Sequence, residues 1–376
     1  MNKSRLLANL DNKIEAATDR LTIDCLLAER VCYLARRGGA SDEVLETIKE
    51  LRERYAPNPN ARVSAWLSLA EGLQIHFFNM GEQARDRIHR AYALSTAAGM
   101  DQMRALSASW LAHMDYQRLD MYGMSKRIVE ALTLANVANH AARSRANLVV
   151  ALAYHLARRI ELALPWYSRA RDHASTEGDD VTLSALMHNM AWLRGANMCQ
   201  SVLCGEDLTR DGEHALLSIE STMQFDTLIG GKSLGTLGPL LRAQLMSLTE
   251  RYEAALEIYE RHLQKGIEEG MGRLYGSLIA DQAWCRLKLG KVSEAKSDVL
   301  IAEQHIDPNG QHDDRALIHS RLEKLYRALG DVDNSTRHSN AASDEWRAHR
   351  EFQNHICRVL GDNCYIAQYD AQNPMT

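Results

Sequence analysis

Proline and phenylalanine are scarce in this chain, at 6 and 4 of 376 residues. So few prolines leave helices uninterrupted and argue against long disordered linkers. Val and Ile are sparse beside Ala, Leu, Arg and Glu, a mix that favours helix at almost every position. No apolar run approaches the ~18 residues that a membrane span needs. The opening Met1-Asn2-Lys3-Ser4-Arg5 leads into a charged helix and lacks the apolar segment of a signal peptide. Neither sign of charge dominates: the net charge is −5 and the pI about 6.3. Without a basic excess to neutralise phosphates, binding of nucleic acid by charge is not expected. The cysteines number 7, an odd count, and lie scattered at Cys25, Cys32, Cys199, Cys204, Cys285, Cys357 and Cys364. That is the usage of a reducing compartment, with thiols serving as small apolar residues. The chain therefore reads as a soluble cytoplasmic protein.

What the sequence does hold is an internal repeat. Small or apolar residues recur as i, i+4, i+7 triplets, which fall on one helical face. They are Val44-Ile48-Leu51, Ala84-Ile88-Ala91, Met124-Ile128-Ala131, Ala163-Tyr167-Ala170, Ala215-Ile219-Thr222, Ala255-Tyr259-His262, Ala295-Val299-Ala302 and Ser335-Ser339-Ala342. Their third members are spaced by 40, 40, 39, 52, 40, 40 and 40 residues. One such unit cannot bury its apolar face alone, so stacking of neighbours must supply the missing surface. The alternative is an all-α bundle with accidental periodicity.

The pattern resembles the tetratricopeptide repeat (TPR) family. In the first unit Ala28, Val31, Cys32, Ala35, Gly39, Val44, Ile48 and Leu51 stand at the family's signature spacings, with Pro57 beyond. The fourth unit contributes Val150, Ala151, Tyr154, Ala163, Tyr167 and Ala170, and the seventh Ala283, Gly290, Ala295, Val299 and Ala302. The resemblance implies an all-α, right-handed superhelical solenoid of about eight TPR-like helix-turn-helix repeats. The departure is length, since these units run nearer 40 residues than the family's usual 34. Such long units resemble those of bacterial peptide-pheromone receptors, including the Rap-type phosphatases, and the sensor halves of some transcription activators and diguanylate cyclases.

The domain reading follows. Residues 1–20 form an N-terminal capping helix, 21–345 the repeat array, and 346–376 a C-terminal capping helix and tail, with the tail loose from Gly361. The capping helix runs from about Asp344 to Leu360 and carries Trp346, Phe352, Ile356 and Val359. The excess in the fifth unit predicts a long loop at about 197–210.

Motifs of chemistry are weak. Gly230-Gly231-Lys232-Ser233 lacks the glycine that a phosphate loop sets ahead of its Gly-Lys pair with four residues between; Asp226 stands there instead. Cys199 and Cys204 form a C-x4-C without two further zinc ligands nearby. His312 with His319, and His349 with His355, make no H-x-x-x-H spacing. Neither a Gly-x-Ser-x-Gly elbow nor a cysteine-protease signature is present. No metal, cofactor or catalytic residue is expected.

In a TPR array the first helix of each pair lines the inner face. On that register the partner-facing residues are Arg30, Tyr33, Arg37, Glu71, Trp110, His113, Tyr116, Asn189, Trp192, Gln244, Asp281, Trp284, Lys288, Arg321 and Lys324. Trp, Tyr and Arg anchor peptide interfaces because they bury large area and still offer a hydrogen bond. The expected function is a non-catalytic scaffold that binds a protein or peptide. The second expectation is a bacterial sensor that binds a signalling peptide or small molecule and acts on a separate output protein. An enzyme on a helical scaffold would need acid, base or metal groups converging in the groove. A homodimer through an uncapped end or the Trp346 helix is a further expectation.

Overall fold

The computed structural model describes residues 4–205, 209–231, 235–362, 366 and 369, with backbone alone at 209–211. Among the described residues every regular element is helical. After α1 (Arg5–Ala16) come eight helix pairs: α2 (Arg20–Gly38) with α3 (Asp42–Tyr55), α4 (Ala61–Asn79) with α5 (Gln83–Ala97), α6 (Asp101–Gln117) with α7 (Met121–Leu134), and α8 (His140–Leu156) with α9 (Ile160–Glu177). They continue as α10 (Asp180–Leu203) with α11 (Thr209–Ile229), α12 (Leu237–Leu248) with α13 (Tyr252–Glu268), α14 (Tyr275–Lys288) with α15 (Val292–Gln304), and α16 (His312–Ala328) with α17 (Val332–Gly361). First helices pack on their own second helix and on the first helix of the next pair, as in α2·α4, α4·α5, α6·α7, α6·α8, α8·α9, α12·α13, α14·α15 and α14·α16. This is the paired helix-turn-helix architecture that the repeat predicted.

Local chemistry starts several of these helices. Asp19 accepts the Thr22 amide at 2.8 Å, Asn60 the Arg62 amide at 3.0 Å, and Asp120 the Gly123 amide at 2.8 Å. Each satisfies a donor that the first turn leaves unpaired. The turn inside six of the eight pairs repeats more closely than its sequence does. Met80, Leu119, Arg158, Glu250, Gly290 and Gly330 all take a left-handed backbone, with φ between 54° and 83°. From Leu119 on, the next residue donates its amide back five positions: Asp120 to Asp115, Arg159 to Tyr154, Arg251 to Met246, Lys291 to Arg286 and Asp331 to Tyr326, each at 2.9 Å. Those bonds are the long-range half of a helix-ending Schellman turn. Only Gly290 and Gly330 take it without a Cβ penalty.

The signature triplets fill the cores. Val44, Ile88, Ala91, Met124, Ile128, Ala131, Ala163, Ala170, Ala255, Tyr259, Ala295 and Ala302 are completely buried. Small residues at these places allow close helix contact. A Cβ on Gly72 of α4 would come within 2.6 Å of Ile88 Cγ1 and 2.9 Å of the Ala84 carbonyl in α5.

The chain divides into two compact units. Unit 1 is Met1–Leu186, Phe225–Ser233 and His355–Thr376; unit 2 is Met187–Gln224 and Leu234–Asn354. Each is described by itself.

Several expectations require correction. The excess residues of the fifth unit do not form a long loop: α10 stays helical through Leu203, burying Met198, Cys199, Gln200 and Ser201. Glu206, Asp207 and Leu208 lie outside the described residues. The last pair and the C-terminal cap are not separate, because α17 runs unbroken from Val332 to Gly361. In the eighth triplet Ser339 is exposed and His338 is buried in its stead. Two described residues of the tail are packed, while Gly361 and Asp362 are exposed. Ile366 is buried, and the Tyr369 ring stacks on Trp166 at 5.8 Å while its hydroxyl accepts from Arg143 at 3.1 Å. Trp346 of α17 buries its ring on Ala316 and donates to Ser320 Oγ at 2.9 Å. Buried in its own chain, that side chain is not open to a second copy.

Candidate functional site

Unit 1 encloses a cleft lined by the first helices of successive pairs, about 510 Å³ of empty space with its open solvent included. α2 contributes Glu29, Cys32, Tyr33 and Arg36; α4 contributes Trp66, Leu69 and Leu73; α6 contributes Leu106 and Trp110; α8 contributes Ala141 and Arg145. Glu177 of α9 and Asp179 and Thr182 around the start of α10 complete it, and α1 closes one side with Leu6 and Leu10. α1 is fastened there by its N-terminal end. The Leu6 amide and the Ser4 hydroxyl both donate to the Gly178 carbonyl, at 3.2 and 3.0 Å, and Arg5 donates to Ser175 O.

The middle of the cleft is a closed polar knot. Asp179 caps α10 by accepting the Thr182 amide at 3.0 Å and hydroxyl at 2.7 Å, and it pairs with Arg36 at 2.8 Å. Arg36 also donates to Thr182 Oγ1 at 2.9 Å, and the Tyr33 hydroxyl donates to Asp180 at 2.6 Å. Burial opposes the Asp179 charge, but the Arg36 guanidinium and the Thr182 bonds outweigh it and hold its pKa below the ordinary carboxylate value.

The two sides of the knot differ. At one, burial raises the Glu29 carboxyl above its usual range and pushes Glu177 up to about 7, helped by the Asp179 charge. One Glu177 oxygen, Oε2, is buried with no hydrogen-bond partner among the described residues. At the other, the Arg145 guanidinium lies 3.9 Å from the Trp110 ring centroid, a cation–π stack. Burial brings Arg145 down to about 9, and the like charge of Arg36 adds to this. Behind Trp110 stand His113 and His76, edge-on at 5.9 and 5.8 Å in sequence. Burial and the Arg145 charge keep both imidazoles neutral, His76 at about 4 and His113 well below its usual value. Cys32 also lines the cleft, but burial drives its thiol pKa up, which makes it a poor nucleophile. Among the described residues no group of three or more His, Cys, Asp or Glu could hold a metal ion.

Unit 2 brings a second set of predicted residues together. Arg321 donates to Asp281 at 2.6 Å, and Gln244 donates to the other Asp281 oxygen at 3.4 Å. Lys288 and Arg321 stand 4.7 and 5.4 Å from the Trp284 ring centroid. Lys324 donates to the Val202 carbonyl of α10 at 3.2 Å, and Trp192 of α10 packs on the same core as Trp284. Cys199 and Leu203 of α10, with Leu317, narrow what is left to a small crevice. This network is internally satisfied.

The remaining sequence candidates are dispersed. Arg30 bridges Asp11 and Glu43 at 2.8 and 2.6 Å, tying α2 to α1 and α3. Arg37 donates to the Ile229 carbonyl. Glu71 faces the second helices, where Arg52 and Arg87 pair with it. Tyr116 and Asn189 are each engaged within the chain. Sequence reading thus found Tyr33 and Trp110 of the cleft and His113 behind it. It missed Glu29, Arg36, Trp66, Arg145, Glu177 and Asp179. Arg36 follows Tyr33 by three residues, one turn on the same face, which is a usable signal. Arg145 left none, because it lies a turn nearer the start of its helix than the positions examined in other units. Lys232 and Ser233 of the glycine-rich stretch lie outside the described residues.

No family model matches the chain, and no curated protein matches it. Among solved structures it is similar to a Rap protein complexed with competence and sporulation factor. The identity is 13%, 92% of each chain is covered, and the TM-score is 0.54. The chain thus has an all-helical repeat fold related to that of the Rap protein. No described helix is long and apolar enough to cross a membrane.

Proposed function

We propose that this chain is a non-catalytic regulator that binds a short peptide in the unit 1 cleft and acts on a separate protein. The observation that carries the reading is the lining of that cleft. Tyr33, Trp66 and Trp110 supply aromatic surface, while Arg145 and the Glu177 carboxyl keep hydrogen-bonding capacity that no other described residue uses. Pockets that orient a ligand combine such apolar walls with a few convergent polar groups. The long repeat units, which resemble those of peptide-pheromone receptors, support it. So does a related fold that is known with competence and sporulation factor bound.

The sensor reading is favoured over a scaffold for folded proteins. A scaffold needs a row of available side chains, and the unit 2 candidates Gln244, Asp281, Trp284 and Arg321 are engaged with one another. The test is selection of random short peptides on the full chain, followed by titration calorimetry. Binding is expected to weaken about tenfold or more in Trp66→Ala, from loss of an aromatic anchor. Retention of no peptide, or retention insensitive to Trp66, would refute the reading.

A further inference from the structure

Arg145 is the group in the cleft that the protein's own residues do not explain. Its side chain lines the cleft and is only 4% exposed. Its guanidinium stacks on the Trp110 ring, and it forms no hydrogen bond or ion pair with any described residue. A buried guanidinium with five N–H donors and no acceptor is unfavourable, and native structures rarely keep one without use. The charges acting on it are Arg36, of like sign, and Asp179, whose carboxylate is already paired with Arg36. The cleft's two other acids, Glu29 and Glu177, form no hydrogen bond or ion pair with it. Glu177 instead feels Glu29, Lys13 and the Arg36–Asp179 pair. The cleft is therefore polarised, with an anion lacking at the Trp110 side and two acids at the other.

We propose that Arg145 is the carboxylate-binding residue of the cleft, pairing through its guanidinium edge with a carboxylate of the ligand while its face stays stacked on Trp110. The assignment rests on the reading of the cleft as a peptide site and names the chemistry that site selects. A planar guanidinium matches a carboxylate in a bidentate pair. A dianionic phosphate would face one unpaired cation and the two acids Glu29 and Glu177. A singly charged carboxylate balances Arg145, and those acids suit the ammonium of the same ligand. The carboxylate can belong to the peptide's C-terminus or to an Asp or Glu side chain.

The test offers the full chain two pools of random tetrapeptides, one with free C-terminal acids and one with C-terminal amides, read by affinity selection and mass spectrometry. Wild-type protein is expected to retain free-acid peptides about tenfold or more over their amides. If instead the amide pool is retained and enriched in Asp or Glu, the carboxylate is a side chain and the assignment stands. Arg145→Gln is expected to abolish either preference, and Arg145→Lys, which keeps the charge and loses the fork, to weaken it. Arg145→Gln without ligand should melt no lower than wild type and about 2 °C or more higher, because an unpaired buried charge is gone. Lower melting would identify a structural guanidinium and overturn the proposal. So would acid and amide peptides retained alike without acidic enrichment, or retention unchanged in Arg145→Gln. Retention of neither pool would sink the peptide reading itself, and the assignment with it.

Discussion

Arg36 of α2 and Asp179 at the start of α10 lie 143 residues apart in sequence and 2.8 Å apart in space. Their side chains are 11% and 4% exposed, so the pair is shielded from solvent. It joins the first pair of unit 1 to the end of the fourth, across the cleft.

Breaking that pair should be costly. Arg36→Ala strands the Asp179 carboxylate and is expected to destabilise the chain by about 3–5 kcal/mol, read from urea unfolding. The Asp179 pKa is depressed in the folded state, so its contribution is present above the unfolded value near 3.8 and is lost as pH falls through the folded value. Asp179→Asn should therefore lose its deficit relative to wild type only under strong acid. A deficit unchanged down to pH 2 would contradict the pairing.

Glu177 gives the opposite pH dependence. Its folded pKa is about 7 against an ordinary 4.5, so the folded state favours the protonated acid. That contribution is present in full below the unfolded value and is lost as pH rises through 7. Glu177→Gln is expected to match wild type near pH 4.5 and to exceed it at pH 8 by on the order of 2 kcal/mol. Melting temperatures of the two proteins across that range check it; parallel curves would show that Glu177 is not shifted.

Tyr259 separates packing from hydrogen bonding. The ring is completely buried and its hydroxyl has no hydrogen-bond partner among the described residues. Tyr259→Phe is expected to be neutral or to stabilise by about 1 kcal/mol, since it removes an unsatisfied polar atom. Tyr259→Ala should cost about 3–5 kcal/mol through the cavity it leaves. Denaturant unfolding of both variants decides, and a large loss in the Phe variant would reveal an unseen partner.

The left-handed turn offers a stabilising change. Glu250 is exposed and holds φ 62° at the place where Gly290 and Gly330 stand in later repeats. Glu250→Gly removes the Cβ conflict and is expected to raise stability by about 1 kcal/mol, with the melting temperature as readout. The same change in a right-handed helical position would destabilise.

The same turn shows how unevenly the fold was legible. The repeat spacing stood out because buried triplets such as Ala84-Ile88-Ala91 must meet the same neighbouring surface in every unit. Gly290 and Gly330 marked their turns, whereas Leu119, Arg158 and Glu250 hid the same conformation behind ordinary side chains. The fifth unit misled for a related reason. Asn197, Gln200 and Ser201 look like loop residues, yet they continue α10 because its last turns are buried. Of the site, Tyr33 and Trp110 were found as large side chains on inner helices. Glu71 was placed on that face in error, since a shift of one position around a helix turns a residue by 100°.

The order of amino acids, taken alone, determined that the chain is all helix and that its helices come in pairs, because burying one face of each helix is a local, periodic demand. Which polar groups meet was decided only by the tertiary structure. An ion pair such as Arg36–Asp179, and the isolation of Arg145 on Trp110, depend on where distant helices bring their charges. A side chain's type records that it can pair, and only its surroundings record whether it has.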